Sequence, residues 1–81
     1  MNYKKRYNNK INVSGNKMRE IRKEKGLSIE GLSRTLLLEL GIELSAQAIG
    51  NIEHGTRTIV DYELWGIAKI LKVHMEELID L

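Results

Sequence analysis

A chain of 81 residues has room for one domain with a small core. It contains no cysteine, which excludes a disulfide framework or a thiolate metal site, and no proline, which favours helices joined by short turns. No apolar run is long enough to span a bilayer, and no apolar segment follows the basic N-terminal residues as in a signal peptide. We therefore expect a cytoplasmic protein without a membrane partner.

The formal net charge of +2 hides an asymmetry along the chain. Residues 1–27 hold nine Lys or Arg against two Glu, which is +7, and residues 28–81 hold four against nine acids, which is −5. A basic end is typical of a protein that binds a polyanion. Charge alone does not distinguish this from a solvated basic tail.

Residues 1–14 are polar and lack helical periodicity, and we interpret them as a flexible basic arm that becomes ordered on binding. A first helix is expected from about residue 16 to 25, capped by Ser14 or Asn16 and ended by Gly26. Met18 and Ile21 form its apolar face. The surface of this helix is expected to carry Lys17, Arg19, Arg22 and Lys23.

Ser28 is the expected N-cap of a second helix, in which Leu32 and Leu36 recur at the i, i+4 spacing. The helix could continue through Leu40 to a stop at Gly41. The leucines that follow Leu36, namely Leu37, Leu38 and Leu40, are assigned to the core in preference to an interface.

Ser45 is the expected N-cap of a short third helix over residues 46–54, which Gly55 ends. Its inward face would hold Ala48, Ile49 and Ile52. The opposite face would present small or amide side chains: Ala46, Gln47, Gly50 and Asn51.

A fourth helix is expected over residues 62–72 with Asp61 as its N-cap and Trp65 half-buried, and a fifth from about residue 75 to the end. These elements predict an all-α fold, a compact five-helix bundle. Its core is predicted to contain Met18, Ile21, Leu32, Leu36, Ile49, Ile52, Leu64, Ile67, Ala68, Leu71 and Leu78.

The third helix carries the clearest functional signal. A helix that enters the major groove needs small side chains for close approach, and amides can pair with adenine at two positions. Gln47 and Asn51 lie one turn apart on the same face, between Ala46 and Gly50. This pattern favours duplex DNA as the partner.

The chain resembles the phage-repressor helix-turn-helix family, which includes lambda repressor and Cro-like proteins. The resemblance covers roughly residues 15–79. It is carried by residues 18–28, Leu32-Ser33, Ser45, Ile49, Ile52-Glu53-His54-Gly55, Arg57, Asp61-Tyr62-Glu63-Leu64, Ile67-Ala68, Leu71, Val73 and Glu77-Leu78.

The resemblance implies a lambda-repressor-like DNA-binding domain over residues 15–81, in which the second and third helices form the helix-turn-helix. It implies base contacts from the third helix and a structural role for Glu53. The base-facing residues would be Ala46, Gln47, Gly50 and Asn51, and the residues facing the DNA backbone would be Ser45, His54, Thr56 and Arg57, to which we add Lys17 as a phosphate contact.

Two departures from the family pattern affect this interpretation. Ile29 stands where the family commonly has a phosphate-binding Gln, so that contact is expected to be lost. The segment between Leu36 and Ser45 is about six residues longer than the usual tight turn, so it must lengthen the second helix or bulge the turn.

We expect no enzyme activity, because no phosphate-binding loop, carboxylate pair or activated nucleophile is recognisable. No cofactor or small-molecule ligand is indicated, and His54 and His74 lack the companions that a metal site needs. A homodimer is expected through Met75, Ile79 and Leu81 or through residues 37–44. The alternative function is an antitoxin-like or other protein-interaction module.

Overall fold

The computed structural model describes residue 7 and residues 9–81. Within this part, the chain forms four α-helices: α1 (Gly15–Glu24), α2 (Ile29–Leu40), α3 (Ala46–His54) and α4 (Asp61–Leu71). In place of the predicted fifth α-helix there is a short 3₁₀ turn of four residues, Met75–Leu78. The all-helical fold is thus confirmed, whereas the five-helix detail is not. Residues 1–6 and 8 of the predicted arm lie outside the described residues.

Local chemistry sets the ends of the two central helices. The Ser28 hydroxyl accepts a hydrogen bond from the Gly31 N–H at 2.9 Å, and the Ser45 hydroxyl accepts one from the Ala48 N–H at 3.0 Å. Each serine thereby satisfies a backbone donor that has no partner inside its helix. The predicted N-caps of α2 and α3 are therefore confirmed. Left-handed glycines follow α1, α2 and α3, at Gly26, Gly41 and Gly55.

Two other caps differ from the predictions. Ser14 precedes α1, but its buried hydroxyl makes no hydrogen bond, and the Asn12 side chain accepts from the Gly15 N–H instead. Asp61 is the first residue of α4 and not its cap, since Val60 occupies the cap position. The Val60 N–H donates to the Glu63 carboxylate at 3.1 Å, so Glu63 supplies the polar contact at this helix end.

One core joins all four helices. Ile21 and Leu64 are only partly buried and pack at its margin, so the predicted core is confirmed with those two exceptions. Two members come from the connection between α2 and α3, Ile42 and Leu44, which the prediction did not include. The buried residues are Met18, Leu32, Leu36, Ile42, Leu44, Ile49, Ile52, Ile67, Ala68, Leu71 and Leu78.

The extra residues between α2 and α3 are divided between a longer helix and an extended connection. Leu37 and Leu38 are 50% and 75% exposed, so their assignment to the core was wrong. The reason is helical geometry: Leu36 and Leu40 share the inward face at i, i+4, and the residues between them turn away. Beyond Gly41, Ile42 and Leu44 point into the core.

Candidate nucleic-acid interface

Helix α3 has one buried face and one exposed face. Ile49 and Ile52 are completely buried. Gln47 and Asn51 are exposed, one helical turn apart. The structure therefore brings the two predicted amides together on a surface that points away from the core.

The two amides are available for an external partner. Among the described residues, neither the Gln47 nor the Asn51 side chain has a hydrogen-bond partner, although the Asn51 backbone carbonyl accepts from the Thr56 N–H. Each amide can offer one acceptor and two donor hydrogens. The exposed face therefore carries unused hydrogen-bonding capacity in both senses.

Gly50 leaves an opening in the same face. A Cβ placed on this residue would meet no described atom within 4 Å. Glycine in the interior of a helix is less favourable than alanine by about 0.5–1 kcal/mol. Because no packing contact among the described residues calls for a glycine here, its smallness can serve the approach of an outside surface.

A buried ion pair holds α3 against α1. Arg22 donates from Nε and Nη2 to the two carboxylate oxygens of Glu53, at 2.8 and 2.9 Å, and from Nη1 to the Leu27 carbonyl at 2.9 Å. The hydrogen bond to Glu53 raises the pKa of Arg22, against the opposing effect of burial. The structural role expected for Glu53 is thus confirmed, whereas the expectation that Arg22 lies on the surface is wrong.

Arg57 is committed in part to another carboxylate. Its Nη1 and Nη2 atoms donate to Glu63 at 2.9 and 3.2 Å, and Nη1 also donates to the Thr58 carbonyl. Burial opposes ionisation of Glu63, but the hydrogen bonds from Arg57 and the Val60 N–H outweigh it and lower the pKa of that carboxyl. Arg57 is therefore no free cation, which its place in the sequence does not reveal.

The other residues assigned to the DNA backbone lie at different places. Ser45 and His54 are exposed at the two ends of α3, and Thr56 follows, with its hydroxyl donating to the Asn51 carbonyl at 3.2 Å. Lys17 lies on α1, where it pairs with Glu20 at 3.7 Å. Among the residues predicted to face the DNA backbone, only Lys17 has no described hydrogen bond or ion pair to α3 or to the loop after it, and it does not line the hollow between α1 and α3.

A small hollow between α1 and α3 adds two cations to this surface. It has a volume of about 170 Å³, and its lining includes Arg19, Lys23, Gly50 and His54. Arg19 and Lys23 were assigned only to the surface of α1. Their i, i+4 spacing could have indicated that they share a face, but not that this face adjoins α3.

The geometry is that of a helix-turn-helix domain, with α3 exposed across one side. A family model described as helix-turn-helix matches residues 18–78, so the chain belongs to that family. This confirms the resemblance to lambda repressor and Cro-like proteins and places the chain among DNA-binding transcription regulators.

One solved structure supports the same assignment. The chain is similar to the crystal structure of the DNA-binding domain of BldD, with 26% identity and a TM-score of 0.71. The similarity covers 91% of this chain and 99% of that chain. The comparison with curated proteins found no match. In the described part of the chain, no helix is long and apolar enough to cross a membrane.

Proposed function

We propose that this protein represses transcription by binding a specific duplex DNA site, with α3 in the major groove. The observation that carries the proposal is the exposed face of α3, where two unpartnered amides flank a glycine with open space above it. A groove-binding helix requires such a face, because base edges are read by short polar side chains at close range.

Gln47 and Asn51 are the proposed base readers. Each amide can donate a hydrogen bond to adenine N7 and accept one from the adenine N6 amino group, which makes a two-point contact with that base. Ala46 and Gly50 are too short to hold the helix away from the base edges. Together these four residues form the proposed reading surface.

The DNA backbone would be bound at the ends of this surface. Ser45, His54 and Thr56 are exposed there, and Arg19 and Lys23 add positive charge from α1. These contacts would set orientation rather than sequence preference.

Arg57 and Lys17, the two cations predicted to contact phosphates, are each paired with a carboxylate. Arg57 retains Nε and one Nη2 hydrogen for a phosphate, but its charge is largely balanced by Glu63. Lys17 remains a proposed phosphate contact on α1, where its neighbour Glu20 offsets part of its charge. We therefore expect the amides, and not these two cations, to determine which site is bound.

A weak homodimer that DNA strengthens is part of the proposal. Met75 and Leu81 are exposed near the C-terminal end, and Leu37 and Leu38 are exposed on α2. A dimer would match two half-sites about one DNA turn apart. Sedimentation of the protein alone and on its selected site tests this, and a monomer in both states would contradict it.

Selection of bound duplexes from a random pool tests the function directly. A shared sequence should emerge, and Gln47→Ala or Asn51→Ala should weaken binding to it by about 1–3 kcal/mol, with much less effect on random DNA. Asn16→Ala, which removes an exposed amide from α1, is the matched control. Equal losses on all duplexes would make the amides phosphate contacts, and failure to enrich any sequence would contradict the proposal.

A protein-interaction module is the second candidate. The observation that favours it is the exposure of Leu37 and Leu38, the first of which lines a hollow of about 530 Å³ with Leu44 and Ala46. An antitoxin-like partner could bind there. Absence of any mobility shift on duplex DNA at low salt would favour this candidate over the first.

A further inference from the structure

The side chain of Asn12 connects three parts of the domain. Its Nδ2 atom donates to the carbonyls of Ile52 and Arg57, at 3.0 and 2.9 Å. Its Oδ1 atom accepts from the backbone N–H groups of Gly15 and Ser14, at 2.8 and 3.2 Å. Asn12, which precedes α1 in the chain, thus contacts the start of α1, the last turn of α3 and the loop that follows α3.

This arrangement uses both ends of an amide. The start of α1 has N–H groups without intrahelical partners. At and beyond the end of α3, the carbonyls of Ile52 and Arg57 can accept from a donor, and the Ile52 carbonyl has a second lone pair for this beside its bond from the Gly55 N–H. An amide presents an acceptor to the first and donors to the second. A carboxylate could still accept from the N–H groups of α1, but it has no hydrogen to donate to the carbonyls.

The two helices meet very closely at this point. A Cβ on Gly15 would overlap the Ile52 carbonyl oxygen, so only glycine permits the approach that brings Asn12 within reach. The adjacent residue of α3, Glu53, is held by Arg22. Two successive residues of α3 are therefore fixed to the α1 side of the domain, one by charge and one by a neutral amide.

We propose that Asn12 is a positioning residue, which sets the tilt of α3 and thereby the placement of Gln47 and Asn51 on DNA. The inference rests on the proposed function. Asn51 directly precedes Ile52, so a shift of the Ile52 carbonyl moves the base-reading face. Asn12 acts from behind this face through the backbone of α3.

The segment around Asn12 is tied down at a second point. The Asp80 N–H donates to the Val13 carbonyl at 2.7 Å, which joins the residues before α1 to the C-terminal end. Asn12 is consequently held by its neighbours on both sides, through Val13 and through the N–H groups of Ser14 and Gly15. Because the Asn12 side chain is held in place by these contacts, it can determine where the end of α3 lies and does not simply move with α3.

Paired substitutions in the full chain separate positioning from stability. Asn12→Ala removes both functions of the amide. Asn12→Asp retains the acceptor at the start of α1, where a negative charge is favourable, and removes the donors to α3. Val73→Ala, a partly buried residue beyond α4, lowers stability away from α3. All are compared at a temperature where circular dichroism shows each protein folded.

The measured quantity is the ratio of affinities for the selected duplex and for a random duplex. Both Asn12 variants should lower this ratio by on the order of tenfold, as loss of one base contact does, whereas Val73→Ala should leave it unchanged. Using the ratio cancels the general repulsion that the new charge of Asn12→Asp exerts on DNA. If Asn12→Ala does not fold, Asn12→Asp alone decides the question.

Three outcomes would count against the proposal in distinguishable ways. Ratios within twofold of the wild-type value in the folded Asn12 variants would overturn the positioning role and leave the proposed function intact. An equal fall in the ratio for Val73→Ala would show that stability, not position, controls specificity. A wild-type ratio near one would overturn the proposed function together with this inference.

Discussion

The ion pair between Arg22 and Glu53 is the polar contact whose loss we expect to cost the domain most. The two side chains are only 8% and 4% exposed, and two hydrogen bonds of 2.8 and 2.9 Å join them. Glu53→Ala would leave the guanidinium buried with the Leu27 carbonyl as its remaining described acceptor. Because the guanidinium of arginine keeps its proton even without an acidic partner, neutralisation of Arg22 offers no ready relief in this variant.

The expected loss follows from the cost of an unpaired buried charge. Removing one partner of such a pair costs about 3–5 kcal/mol. A domain of this length has a total unfolding free energy of roughly 4–12 kcal/mol, at about 0.05–0.15 kcal/mol per residue. Glu53→Ala should therefore remove a quarter or more of the stability, and in the lower part of the range it should unfold the protein.

Urea denaturation followed by circular dichroism measures this loss. Glu53→Gln should be intermediate, since it keeps one acceptor, and Glu24→Ala on the exposed end of α1 is the control. The double variant Arg22→Met with Glu53→Leu should recover most of the stability, because an apolar pair of similar size can replace a buried ion pair. A loss below about 1 kcal/mol for Glu53→Ala would refute the reasoning.

Three further predictions concern the core and the second ion pair. Ile52→Ala should lower the unfolding free energy by about 2–5 kcal/mol, measured by thermal melting, because Ile52 is fully buried. Gly66→Ala should destabilise by about 0.5–2 kcal/mol in the same assay, since the new Cβ would lie 2.5 Å from Ile42 Cδ1 and the better helix propensity of alanine offsets only part of the overlap. Glu63 has a pKa below its ordinary 4.5, so its stabilisation is present above that pH and is lost as the pH falls through the lowered value. Acid titration of Arg57→Ala should show less of this loss, and an unchanged profile would contradict the pairing.

The helix ends could be predicted where the capping chemistry is local. Ser28 and Ser45 each accept from an N–H three residues ahead, and Gly41 and Gly55 adopt left-handed backbone directly after their helices. Such contacts depend on a few consecutive residues, which a sequence displays. Asn12 accepts from the Gly15 N–H at the same spacing, but it lies in a segment without periodicity, so the sequence did not mark it in preference to Ser14 or Asn16.

The buried ion pair between Arg22 and Glu53 could not be predicted, because its two members are distant in sequence. Arg22 and Glu53 are separated by 31 positions, and nothing local marks them as partners. One signal was nevertheless present: Arg22 follows Met18 at i+4, and Glu53 follows Ile49 at i+4, so each charge extends a buried apolar face. A charge in that register indicates a buried partner, although the sequence does not say which one.

The lengthened connection bears on whether α3 can still present its reading surface. Ile42 and Leu44 enter the core, and the Ser33 hydroxyl donates to the Leu44 carbonyl at 2.7 Å, one residue before the Ser45 cap. The extra residues are thus anchored immediately ahead of α3 and do not leave its start loose.

Helix α3 is consequently held at both ends before any partner binds. Leu44 anchors its start, while Arg22 and Asn12 anchor its end through Glu53 and Ile52. A helix held in this way loses little backbone entropy when it binds DNA. More of the interaction free energy of each base contact therefore remains as binding affinity. Loosening either end should then weaken binding to the selected site while random DNA, bound mainly through phosphates, is affected less. Ser33→Ala removes the contact at the start of α3, and Asn12→Asp removes the contact at its end. Both variants should therefore lower the ratio of affinities for the selected and the random duplex. If only one of them lowers this ratio, only that end of α3 is positioned by these contacts.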